Sequence, residues 1–128
     1  MSDAEECIST HTTRTQVLAD VLSCAAKLAL DLFEALPERL VSSKSAQDLV
    51  SDADQAVEQL IHKLLKSAFP AETIVGEEFG GEDHASFWII DPIDGTANFL
   101  SGLPLWGISI AYVVDGEPVL GGISIPVL

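Results

Sequence analysis

The sequence predicts an α+β fold, with N-terminal helices packed on a mainly antiparallel sheet, and three observations carry that expectation. Apolar residues recur at helical spacing up to Leu36 and again from Val57 to Leu65. Beyond Pro70 the pattern changes to short β-type runs. An Asp115-Gly116 pair then separates two strand-like segments, a hairpin-turn signal. Helices followed by strands pack as helix layers on a sheet, because each amphipathic helix must bury its apolar stripe.

The first helix runs from about His11 to Leu36, with Leu18, Leu22, Ala25, Leu28, Leu32 and Leu36 as its stripe, and Pro37 ends it. Residues Pro37 to Leu49 mix Ser, Lys, Gln and Asp and read as a connection. A second helix starts near Asp52 as N-cap, with Gln55 three residues on as in a capping box. Val57, Leu60, Ile61, Leu64 and Leu65 are its buried stripe, and Pro70 closes it. Thr73-Ile74-Val75 is a short strand that stops at Gly76-Glu77-Glu78, and a polar loop follows from Phe79 to Ser86. Phe87-Trp88-Ile89-Ile90 is continuously apolar, as in a strand buried on both faces, and stops at Asp91. Ile108 to Val114 and Pro118 to Ile125 are the last two strands. The final residues, from Ile123 to Leu128, stay apolar where a domain usually ends in a polar tail, so the chain reads as interrupted there.

A length of 128 residues suits one domain with a core of its own, and 48% hydrophobic residues exclude a disordered chain despite the charge. A net charge of −14 argues against nucleic-acid backbones and anionic membrane surfaces as partners. The apolar stretch Trp106 to Val114 is too short for a membrane helix, and Met1 to Ser9 lacks the basic start and apolar run of a signal peptide. Cys7 and Cys24 show neither ligand spacing nor a disulfide framework, which points to a reducing cytoplasm. His11, His62 and His84 share no ligand spacing, neither cysteine has a neighbouring base, and no phosphate-binding glycine loop of the nucleotide-binding type is present.

The chemistry lies in the carboxylates. In Asp91-Pro92-Ile93-Asp94-Gly95-Thr96 an apolar strand delivers Asp91 to its carboxyl end, where open sheets place ligand sites. Pro92 stiffens a tight turn that aims Asp91 and Asp94 into one cavity. Two carboxylates so close repel, and a hard divalent cation relieves the repulsion at neutral pH. Gly95 permits close backbone approach, and Thr96 offers a hydroxyl and an N–H at the start of a short helix, Thr96 to Leu100. The same residues also suit a plain Asp-Pro turn with Asp94 as helix N-cap. Gly76-Glu77-Glu78 again places acids at a strand tip, with a solvated pair as the structural alternative. Asp52-Ala53-Asp54 supplies a cap and a first-turn acid, which leaves a site role open to Asp54.

The segment from Trp88 to Phe99 resembles the signature of the inositol monophosphatase family, within a lithium-sensitive magnesium phosphatase superfamily that includes bisphosphate nucleotidases. Gly76-Glu77-Glu78 stands at the expected distance upstream, and Asp48 to Gln55 resembles the segment before that family's second helix. The resemblance spans most of the chain after about Lys44 and covers the N-terminal part of a considerably longer enzyme. It implies an αβαβα layered sandwich in which residues 1–128 form the N-terminal metal-binding domain, the C-terminal domain being absent. It implies that Glu77, Asp91 and the carbonyl of Ile93 bind one Mg²⁺, with Asp91 bridging to a second ion held by Asp94 and Glu77 serving a third. Catalytic roles fall to Asp54, Thr96 and Glu77, substrate contacts to Asp94, Gly95 and Thr96, and Lys44 matches a family lysine near the site. Another aspartate, from a Trp-Asp motif in the family's C-terminal half, completes the second ion's ligands. The implied activity is Mg²⁺-dependent hydrolysis of inositol monophosphate, or a related polyol or sugar phosphate, by metal-activated water in a homodimer. Two alternatives stand beside it: a truncated, catalytically silent metal-binding or interaction module, and a bisphosphate nucleotidase or histidinol-phosphatase.

Overall fold

The structure, a computed structural model, describes residues 13–41, 45–76 and 85–128. Thr13 caps helix α1 (Arg14–Glu34), its hydroxyl oxygen accepting the Gln16 N–H at 3.3 Å. Val17, Val21, Cys24, Ala25 and Ala29 recur at three- and four-residue spacing and are buried. After the C-cap Ala35 the chain re-enters a helix at once, α2 (Leu36–Val41), with Pro37 in its first turn. A proline there forfeits no hydrogen bond, so Pro37 ends one helix by opening another, and the expected connection is partly helical.

Helix α3 (Ala46–Ala68) begins well before Asp52. Ser45 caps it, its hydroxyl oxygen accepting the Asp48 N–H at 3.2 Å, and Asp48 adds a first-turn acid. Leu49 and Val50 are 2% and 6% exposed, so the earlier start buries an extra apolar turn. Asp52 is therefore not the cap, and Asp54 lies in the helix interior rather than at its end.

Strands β1 (Ile74–Gly76), β2 (Ser86–Asp94), β3 (Gly107–Val114) and β4 (Glu117–Ser124) form one sheet in chain order, with helix α4 (Thr96–Leu100) between β2 and β3. β1 is parallel to β2, and the other pairs are antiparallel. Asp115 and Gly116, with φ of 51° and 81°, turn β3 into β4. α1 and α3 pack together on one face of the sheet, which contributes Trp88, Ile90, Ile108, Ile110 and Tyr112 to the core. The opposite face leaves Ile89 and Ile123 at 37% and 71% exposed, so β2 is buried on one face, not both. Its apolar run is continuous because the open face is apolar too. Among the described residues no helix is long and apolar enough to cross a membrane. Cys24 is buried in α1, and Cys7 lies outside the described residues.

One long-range contact ties the start of α1 to the sheet. The Arg14 guanidinium donates to Glu72, with Nε at 2.8 Å from Oε1, and lies 4.4 Å from the centroid of the Tyr112 ring. Glu72 Oε2 accepts the indole N–H of fully buried Trp88 at 2.5 Å, and Lys66 Nζ donates to the Glu72 carbonyl at 2.6 Å. Removing the carboxylate strands a buried indole donor, which costs about 1–3 kcal/mol. Glu72→Ala is expected to lower the unfolding free energy by about 2 kcal/mol in urea titration. Arg14→Ala, which breaks a half-exposed ion pair, is expected to cost about 1 kcal/mol or less. The double variant should lose less than the sum of the two.

Candidate active site

The site is built on the end of β2. Residues Ser86 to Asp91 pair one-to-one with β3, ending at Asp91↔Ser109, and the next pair is Asp94↔Gly107. Two residues, Pro92 and Ile93, thus oppose the single Ile108: a β-bulge. Pro92 has no N–H to give to a ladder, and a bulge is where a strand accommodates it. Ile93, 3% exposed, anchors the bulge in the core. The strand consequently runs through to Asp94 instead of stopping at Asp91, and a bulged strand end, not a tight turn, holds the two acids. Asp91 is half-buried and Asp94 exposed.

Gly95 follows in the left-handed region, with φ of 90°, and serves as N-cap of α4 without any side-chain cap bond. Asp94 therefore does not cap that helix, and its carboxylate is left for other chemistry. A Cβ on Gly95 would stand 2.9 Å from the Leu105 carbonyl oxygen and 3.3 Å from the Trp106 Cα. The same carbonyl accepts the Asn98 side-chain amide at 2.7 Å. Phe99, fully buried, meets Trp106 edge-on with centroids 4.9 Å apart, and Phe33 of α1 lies 5.4 and 5.3 Å from the two rings. This aromatic triangle fixes α4 under the site and leaves Thr96 exposed at its start.

Helix α3 packs against β1, β2 and α4 and carries Asp54, which is half-buried with one carboxylate oxygen shielded from solvent. The register pairs Gly76, the last residue of β1, with Ile90 of β2, and the residues after these in sequence are Glu77 and Asp91. Glu77, Glu78 and Lys44 lie outside the described residues, as do His11 and His84, whereas His62 is exposed on α3. Among the described residues no three carboxylates, imidazoles or thiols converge into a metal-binding cluster. The side chains along this strand end that could donate to a cation, Asp91, Asp94 and Thr96, nevertheless all offer hard oxygens. Magnesium keeps several waters and binds through one or two carboxylates plus substrate phosphate, so this set suits it without a closed protein cage. A hollow of about 370 Å³ opens beside Asp94 and Gly95, walled by Leu105, Trp106, Ile123 and Ile125. The sequence pattern missed Trp106 and Phe33, because the packing that makes them part of the site joins separate elements.

A methyl at Gly95 should cost more than its dihedral alone. Gly95→Ala is expected to lose about 2 kcal/mol or more of unfolding free energy, from the left-handed backbone plus the Leu105 clash. Gly102→Ala, at φ of 74° with no atom within 4 Å of its Cβ position, isolates the dihedral cost of about 1 kcal/mol. Equal losses in the two variants would remove the close approach as the reason for this glycine.

Residues 13–128 match the profile of the inositol monophosphatase family. An uncharacterized protein, y4fL, of Sinorhizobium fredii is 47% identical over 116 residues, covering 91% of this chain and 42% of its own. A histidinol-phosphatase of Chlorobaculum parvum is 40% identical over 117 residues, covering 88% and 44%. In structure, the extragenic suppressor protein suhB of Bartonella henselae superposes with a TM-score of 0.73 at 31% identity, over 91% of this chain and 44% of that one. The chain thus spans under half the length of these relatives.

Proposed function

The chain belongs to the inositol monophosphatase family, and from that we propose that it carries the cation- and phosphate-binding part of a magnesium-dependent phosphomonoesterase. One observation supports this above the rest: the bulged end of β2 presents Asp91 and Asp94 at a strand tip, followed directly by a left-handed glycine and Thr96. In this reading Asp91 and Asp94 hold the cations with the Ile93 carbonyl, and Glu77 is a further ligand. Gly95 and Thr96 direct N–H groups at the phosphate oxygens, with Asp94 contacting the substrate. The Thr96 hydroxyl and the Asp54 carboxylate orient the attacking water and accept its proton, with Glu77 assisting. Bound Mg²⁺ supplies Lewis acidity and neutralises phosphate charge. The substrate class we assign is a polyol or sugar phosphate such as inositol monophosphate. Histidinol phosphate is the competing substrate, since a relative carries that name. A homodimer in the cytoplasm belongs to the same proposal.

The chain spans 42% and 44% of the length of these relatives, and a second reading stands beside the first. On that reading the chain binds Mg²⁺ without turnover.

Calorimetric titration of the chain with Mg²⁺ is expected to show binding, and Asp91→Asn or Asp94→Asn should weaken it at least about tenfold, the loss of a charged ligand. Saturating Mg²⁺ should also raise the melting temperature of the unmutated chain. Unchanged affinity in both variants would sink the site assignment. Release of phosphate from inositol monophosphate, histidinol phosphate and a bisphosphate nucleotide, assayed beside the titration, separates the two readings. Binding with turnover supports the enzyme, and binding alone supports the silent module.

A further inference from the structure

Glu58 follows Asp54 by one turn of α3 and lies on the flank that meets β1. It is half-buried, and among the described residues no ion pair or hydrogen bond engages its carboxylate. Its Oε1 rests instead against the bare Cα of Gly76: a Cβ built there would stand 2.3 Å from Oε1 and 3.5 Å from Cδ. A half-buried carboxylate without a partner among the described residues is not what packing alone would select, since an apolar residue would serve that better. The place it occupies is specific. Gly76 pairs with Ile90, so Glu58 sits where β1 and β2 lead on to Glu77 and Asp91.

We propose that Glu58 is a positioning residue for the cation site. Its carboxylate, seated on Gly76, fixes the end of β1 beside Asp91 and adds negative charge to the field that draws the cation, without being a ligand. Gly76 is a glycine because the carboxylate takes the space of a side chain. The inference rests on the cation-binding reading above and extends it to two residues which that reading does not use. A charge within a Debye length of the ion still acts on it, and it acts more strongly where protein excludes water.

The test uses the whole chain and Mg²⁺ alone as probe, with Glu58→Gln, Glu58→Ala, Gly76→Ala and the Glu58→Ala/Gly76→Ala double variant. Glu58→Gln and Glu58→Ala are expected to weaken Mg²⁺ about five- to tenfold. Without Mg²⁺ their melting temperatures should stay unchanged or rise, because a half-buried carboxylate has been removed. Gly76→Ala should reproduce the loss of affinity by displacing the carboxylate, and the double variant should be no weaker than either single one. Unaltered Mg²⁺ affinity in the Glu58 variants, with normal binding by the unmutated chain, overturns this proposal alone. A lowered melting temperature with unaltered affinity gives Glu58 a packing role and also overturns it. Additive losses in the double variant overturn the link to Gly76. No Mg²⁺ binding by the unmutated chain overturns the cation-site reading and this inference together.

Discussion

Strand β2 has to satisfy two opposed solvation demands within seven residues, and the rest of the structure is arranged around that conflict. Trp88 and Ile90 are 0% and 1% exposed, at the centre of the core, while Asp91 and Asp94 must keep their carboxylates where water or a cation can reach them. Strict alternation from the buried Ile90 would have turned Asp94 inward and Ile93 outward. The bulge resolves this by inserting one residue, which sends Ile93 inward and Asp94 outward. Pro92 makes the irregular pairing inexpensive, because it has no ladder donor to lose.

What surrounds β2 follows from fixing that irregular end. The chain leaving the bulge must turn at once, and Gly95 does so against the Leu105 carbonyl with a clearance that only hydrogen at Cα allows. Phe99, Trp106 and Phe33 then close over the turn from three different elements. Near the other end of β2, Glu72 holds the Trp88 indole and joins it to Arg14. The strand is therefore gripped on both sides of its acids. In the proposed reading such grip matters, since carboxylates that repel one another would otherwise drift apart before a cation arrives.

The parts of this arrangement that were legible in the sequence are those written in local pattern. The stripe from Val57 to Leu65, the Asp115-Gly116 hairpin and the short helix after Gly95 all appear where periodicity and turn chemistry put them. Local signals also misled where two of them competed. Asp52 with Gln55 has the form of a capping box, but Ser45 with Asp48 caps first, and Leu49 and Val50 bury an additional turn for the longer helix. Four consecutive apolar residues at Phe87 to Ile90 suggested burial on both faces, yet Ile89 lies on the open one. The Glu72 clamp spans 58 residues of sequence, and Glu58 reads as an ordinary surface charge on a helix. Neither has a periodic signature, because each is defined by a partner on another element.

Charge gives the last constraint. With 20 acidic residues against 6 basic ones, the chain repels a phosphate ester at long range. Among the described residues, Arg14 and Lys66 do not correct this locally. Arg14 and Lys66 both direct their charge at Glu72, before the start of β1, whereas the acids stand beyond its end. In the proposed reading, attraction for a phosphate at Asp91 and Asp94 comes from bound cations and from backbone N–H groups at Gly95 and Thr96, and the acidic surface itself favours the first of these. An excess of negative charge that hinders the anion directly helps to gather the divalent ions through which it can bind. On this account the acidity of the protein and the proposed use of Mg²⁺ are one electrostatic solution, and cation binding precedes the phosphate because the uncompensated site repels it.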